Sequence, residues 1–427
     1  MFAVRKSYRT FLWCFLCVSI AFTGWYIRYA VEKALPDKIQ LIEQEEQNLN
    51  LKLPIQASIY QESAEASVKG DSNIPNGAVT VDLQQPCTLK TGTTCCYTMN
   101  CKLFGIFDLK NVTLEIVEGQ QVIPCGSPIG IYMETDGVLV IGSGKVTNND
   151  GIEVEPARGI VQSGDYIVAA DGQAVEDKED LQEVVKEAED SDIILNLRRN
   201  GEEIAVKASA VIDSAGEKKL GIWVRDNIQG IGTLTYVTTD GKFGGLGHGI
   251  SDVDTGTLME LENGSLYATQ IIDVVKGKAG EPGELTGVIR YNDDLERGDI
   301  KENNECGIYG VANDTLMSEL QYEPMEVGLK QEIEVGPAIV RSTVDGEVKD
   351  YDAYIERVEL NSDAVNKGIL IRITDEELLD KTGGIVQGMS GSPILQNGRI
   401  VGAVTHVLVN DPTRGYGIFI ENMLEHN

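Results

Sequence analysis

One block near the end of the chain leaves few folds open. It reads Gly384-Ile385-Val386-Gln387-Gly388-Met389-Ser390-Gly391-Ser392-Pro393, then Ile394-Leu395-Gln396-Asn397-Gly398-Arg399-Ile400-Val401-Gly402. A two-residue Asn-Gly link between apolar runs is the strongest short signal for a tight β-hairpin, because both turn positions need φ > 0. Just before that hairpin stands Ser390, inside Gly-x-Ser-Gly-x-Pro. Glycines on both sides let the backbone turn sharply, display the hydroxyl and aim nearby amides at one point. An acyl-transfer nucleophile needs that setting, although a turn serine ahead of a hairpin accounts for the same glycines.

With 427 residues the chain is too long for one core, and two or three folded units are expected. Asp and Glu number 67 against 36 Lys and Arg, a net charge of −31. A field of that sign repels phosphate backbones, which argues against nucleic acid as a partner. Thr10 to Ile27 is a run of 18 residues without a charge, preceded by Arg5, Lys6 and Arg9 and closed by Trp25 and Tyr26. As a helix it spans about 27 Å, close to the ~30 Å hydrocarbon core. The expectation is a short cytoplasmic tail (1–9), a transmembrane anchor (10–28) and an exported remainder; a cleaved signal peptide is the alternative.

Of eight cysteines, Cys14 and Cys17 lie in the apolar run, Cys87, Cys95, Cys96, Cys101 and Cys125 cluster, and Cys306 stands alone. Outside the apolar run no Cys-x2-Cys pair lies at zinc spacing from a second pair or a histidine, so neither metal nor cofactor is expected. Export permits disulfides, yet five clustered thiols cannot all pair with one another. Residues 29–105 read as stalk and linker: a helical stretch over 30–50 broken at Pro36, then a polar, Gly/Ser/Asn-rich segment to about 77 that is open to cleavage.

Short β-rich runs begin near residue 78, and a helix is expected from Lys178 to Glu189, followed by a strand at Ile193–Leu197 and a turn at Asn200-Gly201. Together with Pro128-Ile129-Gly130-Ile131, Ala157, Gly159-Ile160, Gly164-Asp165-x-Ile167, Gly172 and Val175, this order resembles a PDZ domain over 106–212. The resemblance implies that Ile129, Gly130 and Ile131 form a loop whose amides hold a peptide carboxylate while the peptide adds as a strand. A purely intramolecular packing module is the other reading. Residues 213–427 alternate strands with Gly-rich turns, as an all-β barrel or sandwich does.

A serine hydroxyl attacks a carbonyl only when a base takes its proton. The chain has three histidines. His426 is next to last, and His406 lies in the apolar strand Val401 to Val407, where packing is the usual explanation. His248 sits in the Gly-rich turn Gly244-Gly245-Leu246-Gly247-His248-Gly249, which can present an imidazole near neutral pH. Asp252, Asp254 and Asp375 are candidates for the acid that orients it. Asp375 also belongs to an apparent helix start, with Thr374 and Glu377 at capping-box spacing before a helix Glu376 to Lys381.

The order His, Asp, Ser with Gly-x-Ser-Gly-x-Pro resembles chymotrypsin-like serine proteases. Gly247-His248-x-Ile250-Ser251-Asp252-x-Asp254-Thr255, the block Thr382 to Ile394, and Gly402 to Thr413 resemble more closely the stage IV sporulation protein B family of membrane-anchored PDZ-serine peptidases. The resemblance implies a mainly β fold with an N-terminal transmembrane helix, a PDZ domain and a chymotrypsin-like β-barrel peptidase domain. It implies Ser390 as nucleophile, His248 as general base, Asp375 as acid and the amides of Gly388 and Ser390 as oxyanion hole. It further implies a peptidase that cuts itself in the stalk and then cuts a membrane-complex regulator between forespore and mother cell. That cut would activate a late sporulation sigma factor. The PDZ domain would bind a C-terminal peptide of the regulator or of a second copy of the chain. The Cys-rich stretch is foreign to the family pattern. A non-catalytic PDZ scaffold of the cell envelope, or a cysteine enzyme built on Cys306, are the alternatives to this reading.

Overall fold

The computed structural model describes residues 2–61, 79–90, 96–320 and 322–426. Helix α1 (Phe2–Ala34) is long and apolar enough to cross a bilayer between Tyr8 and Ala34, with a mean hydropathy of 1.7. It stops just before Pro36, which can neither donate to the preceding turn nor tolerate a helical residue before it.

The stretch expected to be stalk and linker folds instead. Strands β1 (Lys38–Ile42), β2 (Ile55–Gln61), β3 (Val79–Asp82), β4 (Cys96–Leu103) and β5 (Phe107–Val117) form a sheet in the order β1-β5-β4-β2-β3. Alternation drives this: Ile39, Leu41, Ile55, Ala57, Met99, Cys101, Leu114 and Ile116 all point into one buried core. Of the expected cleavage region, residues 62–77 lie outside the described residues, as does Cys95. The module sits against the C-terminal part of the chain through Lys33–Asp363 (2.8 Å), Lys38–Glu425 (3.0 Å) and a bond from the Gln331 amide to the Gln40 carbonyl (2.6 Å).

Two barrels follow. The first uses β6 (Pro128–Ser143), β10 (Ile222–Thr238), β11 (Lys242–Gly245), β12 (Leu261–Val275), β13 (Glu296–Asn304) and β14 (Gly307–Ala312). Pairing runs β6-β12-β13-β14-β11-β10 and back to β6, closing a six-stranded ring. Closure removes the free edges that an open sheet of this size would expose. The second is a closed barrel of β15 (Gly336–Thr343), β16 (Val348–Val358), β17 (Ile369–Ile373), β18 (Pro393–Gln396), β19 (Arg399–Val407) and β20 (Arg414–Phe419), in the order β15-β16-β17-β20-β19-β18. Asn397 and Gly398 take φ of +53° and +76°, the two left-handed positions that the tight turn between β18 and β19 demands.

A PDZ-like module is threaded through the first barrel rather than placed ahead of it. The far half of β6 pairs with β7 (Tyr166–Ala170) and with Ile222–Arg225 of β10. Helix α2 (Lys178–Glu187), β8 (Asp192–Arg199) and β9 (Glu202–Ser209) complete it around a core of Val138, Val140, Ile167, Leu181, Val185, Ile193 and Leu195. The near half of β6 belongs to the barrel. Ile129, Gly130 and Ile131, expected to form a carboxylate-binding loop, are therefore interior strand residues. They pair with Gly230–Gly232 on one side and Leu266–Ala268 on the other, and Ile129 and Ile131 are buried. With both strand edges taken, no amide row is left there for a peptide.

Candidate active site

Ser390 and His248 come from different barrels and line one cavity of about 420 Å³ between them. His248 follows β11. Leu246 and Gly247 both adopt left-handed backbone, φ +67° and +69°, and this double turn swings the next side chain into the cleft. For leucine that conformation costs about 1–2 kcal/mol. The buried Leu246 side chain lies against Gly232, where an added Cβ would come within 2.0 Å of it.

The Ser390 loop is held by the first barrel. The Thr233 amide donates to the Ser390 carbonyl (3.0 Å), the Thr233 hydroxyl to the Gly388 carbonyl (2.7 Å), and the Thr235 hydroxyl to the Gly391 carbonyl (2.8 Å). Gly391 has φ +95°, and a Cβ there would lie 2.2 Å from the Thr233 carbonyl oxygen, so the two barrels touch backbone to backbone. Gly388 takes φ +96°. Among the described residues, no protein acceptor is found for the amides of Gly388 and Ser390.

His248 Nδ1 lies 2.9 Å from the Gly249 carbonyl oxygen. That bond places the proton on Nδ1 and leaves the Nε2 lone pair free, the tautomer a general base needs. Burial lowers the His248 pKa below its usual value, and the Gly249 carbonyl opposes the shift. The imidazole is therefore neutral near pH 7. Ser390 Oγ donates to the Thr405 carbonyl at 2.8 Å, so in this resting state the hydroxyl is held by backbone rather than by an imidazole.

His406, read from sequence as a packing residue, lines the same cavity. Its ring centroid is 5.0 Å from that of His248, at a tilt of 45°. Burial first, then the neighbouring His248 and Lys367, push its pKa down to about 4, and its Nδ1 is buried without a hydrogen-bond partner. Nothing local in the sequence marked it, because its place beside Thr405, whose carbonyl accepts the Ser390 hydroxyl's hydrogen bond, matters only through that tertiary contact. Thr233 carried no local signal, because a strand threonine discloses nothing about the loop it meets.

Asp375 is not among the cavity-lining residues. It is the N-cap of α3 (Glu376–Thr382), accepting from the Leu378 amide at 2.9 Å, with the Asp352 amide at 3.4 Å from its other oxygen. The cap thus falls one residue after Thr374, and the carboxylate offered as the orienting acid is engaged by backbone amides. Asp252 and Asp254 are both bound to Arg225. The Cys306 thiol is buried, its pKa raised to about 11 chiefly by that burial, and it does not face the cavity. A thiolate nucleophile there is disfavoured. Among the described residues no group of three or more His, Cys, Asp or Glu is arranged to hold a metal ion.

The SpoIVB peptidase S55 family matches residues 216–424, the stretch that holds His248, the serine loop and most of both barrels. No curated protein is matched by the chain. Among solved structures, the PDZ domain of the SdrC-like protein from Listeria monocytogenes is similar at 21% identity and TM-score 0.17, covering 21% of this chain and 87% of that one. A serine-to-alanine mutant of Rv3671c from M. tuberculosis, in its inactive form, is similar at 15% identity and TM-score 0.24, covering 46% of this chain and 80% of that one. The match to the SpoIVB peptidase S55 family spans residues 216–424, just under half of the chain, and it supports a serine peptidase.

Proposed function

We propose that the chain is a membrane-anchored endopeptidase in which Ser390 is the nucleophile and His248 the general base. The observation that carries this is their meeting in one cavity, beside two amides without protein acceptors, although they sit on separate barrels. In the reaction Ser390 Oγ turns from the Thr405 carbonyl toward His248 Nε2, gives up its proton there and bonds to the scissile carbonyl carbon. The amides of Gly388 and Ser390 receive the developing oxyanion. The imidazolium keeps its Nδ1–H bond to Gly249 and returns the Nε2 proton to the leaving amine. Water then repeats the cycle in reverse to free the acyl group. An orienting role for Asp375 would require its carboxylate to leave the N-terminus of α3.

Helix α1 would anchor the protein with the barrels on the exported side. Its family supports a role in sporulation, with the substrate a membrane-complex regulator in the space between forespore and mother cell, and with sigma-factor activation downstream. Self-cleavage would fall in residues 45–77. The test is the full chain in detergent micelles, as wild type, Ser390→Ala and His248→Ala, followed by intact mass over time. The reading expects wild type alone to lose its N-terminal segment and to cut added polypeptide. Stable, identical masses together with no cleavage of added polypeptide would return the protein to the scaffold class.

A further inference from the structure

The segment Ser251-Asp252-Val253-Asp254-Thr255 begins three residues after His248 and has no part in the chemistry above. Its geometry is nevertheless tightly specified. The Asp252 side chain is fully buried, 0% exposed, and bonds the amides of Asp254 (3.0 Å) and Thr255 (2.8 Å). The Met259 amide returns to the Ile250 carbonyl (3.0 Å), and Asn303 clasps both the amide and the carbonyl of Ile250 (2.8 and 3.0 Å). Residues 250–259 thus form one closed turn, with His248 at its root.

Three side chains of the PDZ-like module hold this turn and Glu260, the residue that follows it. Arg225 forms an ion pair with Asp252 through one guanidinium nitrogen and with Asp254 at 3.0 Å through another. It sits where β10 pairs with Leu139 of β6, next to Val224, which packs on the module's core. The Tyr166 hydroxyl of β7 accepts from the Glu260 amide at 3.1 Å. Arg198 of β8 lies 2.6 Å from the Glu260 carboxylate and 3.0 Å from Asp136. A buried carboxylate left without its partner is costly, so the Arg225 bridge constrains where the turn can sit.

We infer that the PDZ-like module braces the general base, with Arg225 as a positioning residue that sets His248 relative to Ser390 through Asp252. The inference rests on the assignment of His248 and Ser390 above.

The experiment follows covalent labelling of Ser390 by a fluorophosphonate probe, on the full chain in detergent, from about pH 5 to pH 9. The double variant Arg225→Gln/Asp252→Asn removes both charges and leaves neither buried alone. Its limiting labelling rate is expected to fall at least tenfold and its acid limb to move, while the probe concentration for half-maximal rate stays unchanged. Arg198→Gln is expected to show a smaller loss of the same kind. Should the double variant fail to fold, Arg225→Lys keeps the charge but not the fork, and a loss of threefold or more is expected. A folded variant with wild-type rate and wild-type acid limb overturns the brace. If wild type labels at Ser390 and His248→Ala does not, that result counts against the brace alone; if wild type does not label, the assignment of the site falls and the brace with it.

Discussion

Thr233→Val deletes one hydroxyl from the seam between the barrels. Thr233 is 2% exposed, and its hydroxyl and amide bond the carbonyls of Gly388 and Ser390, one between the two amides assigned to the oxyanion hole and one just after them. Valine keeps the shape but leaves the Gly388 carbonyl without its donor, which costs about 2 kcal/mol, or roughly 4–8 °C in melting temperature for a unit of this size. Loss of one oxyanion donor lowers kcat by about 10²–10³. Misaligning such a donor should cost less, about 10- to 100-fold. Thr235→Val is the matched control, since Thr235 is fully buried and bonds the Gly391 carbonyl, beyond the hole. Both variants should melt earlier by a similar margin in a thermal scan, whereas fluorophosphonate labelling should slow markedly only in Thr233→Val. Equal labelling rates in the two variants would refute the claim that Thr233 aligns the hole.

Asparagine caps a helix about as well as aspartate, whereas alanine costs about 1 kcal/mol. Asp375→Asn is therefore expected to keep both stability and activity, and Asp375→Ala to lose stability with activity per folded molecule retained; a loss of 10³-fold or more in a stable Asp375→Asn protein would install Asp375 as the orienting acid. Because burial lowers the His248 pKa, the neutral base persists below pH 6.5, and the acid limb of kcat/KM should have its midpoint under that value. His406 adds a stability term of defined sign. Its proton is bound more weakly in the folded chain, so its contribution is complete above about pH 6.5 and is lost as pH falls toward about 4. His406→Phe should flatten the melting temperature across that window, and an unchanged slope would remove His406 from the account.

Local signals in the sequence carried far. Asn397-Gly398, the helix starting at Lys178, the strand Ile193–Leu197 and the apolar N-terminal helix all rest on turn chemistry or periodicity within a dozen residues, and the structure has each of them. The glycines around Ser390 were equally legible, because their φ values are local demands. Pairing was not. Ile129–Ile131 reads as apolar strand whether its neighbours are a bound peptide or β10 and β12, and only long-range closure of the barrel decides between them. The N-terminal sheet was obscured by Pro36 and by polar residues on the outer face, although Ile39 and Leu41 already alternated. His406 stayed hidden for a similar reason, since its value lies in a neighbour contributed by the other barrel.

Threading the PDZ-like module through β6 and β10 has a consequence for how the protein is made. The two strands must find each other across the insert from Ser143 to Ile222, and closing a floppy loop of roughly 80 residues costs about 4 kcal/mol in chain entropy. A module that folds first holds those ends together and removes most of that cost. The first barrel would then close on a template already in place, leaving the second to dock through Thr233 and Thr235. During synthesis from the N-terminus the insert emerges before the serine loop, so that proteolytic competence would be the final event of biogenesis.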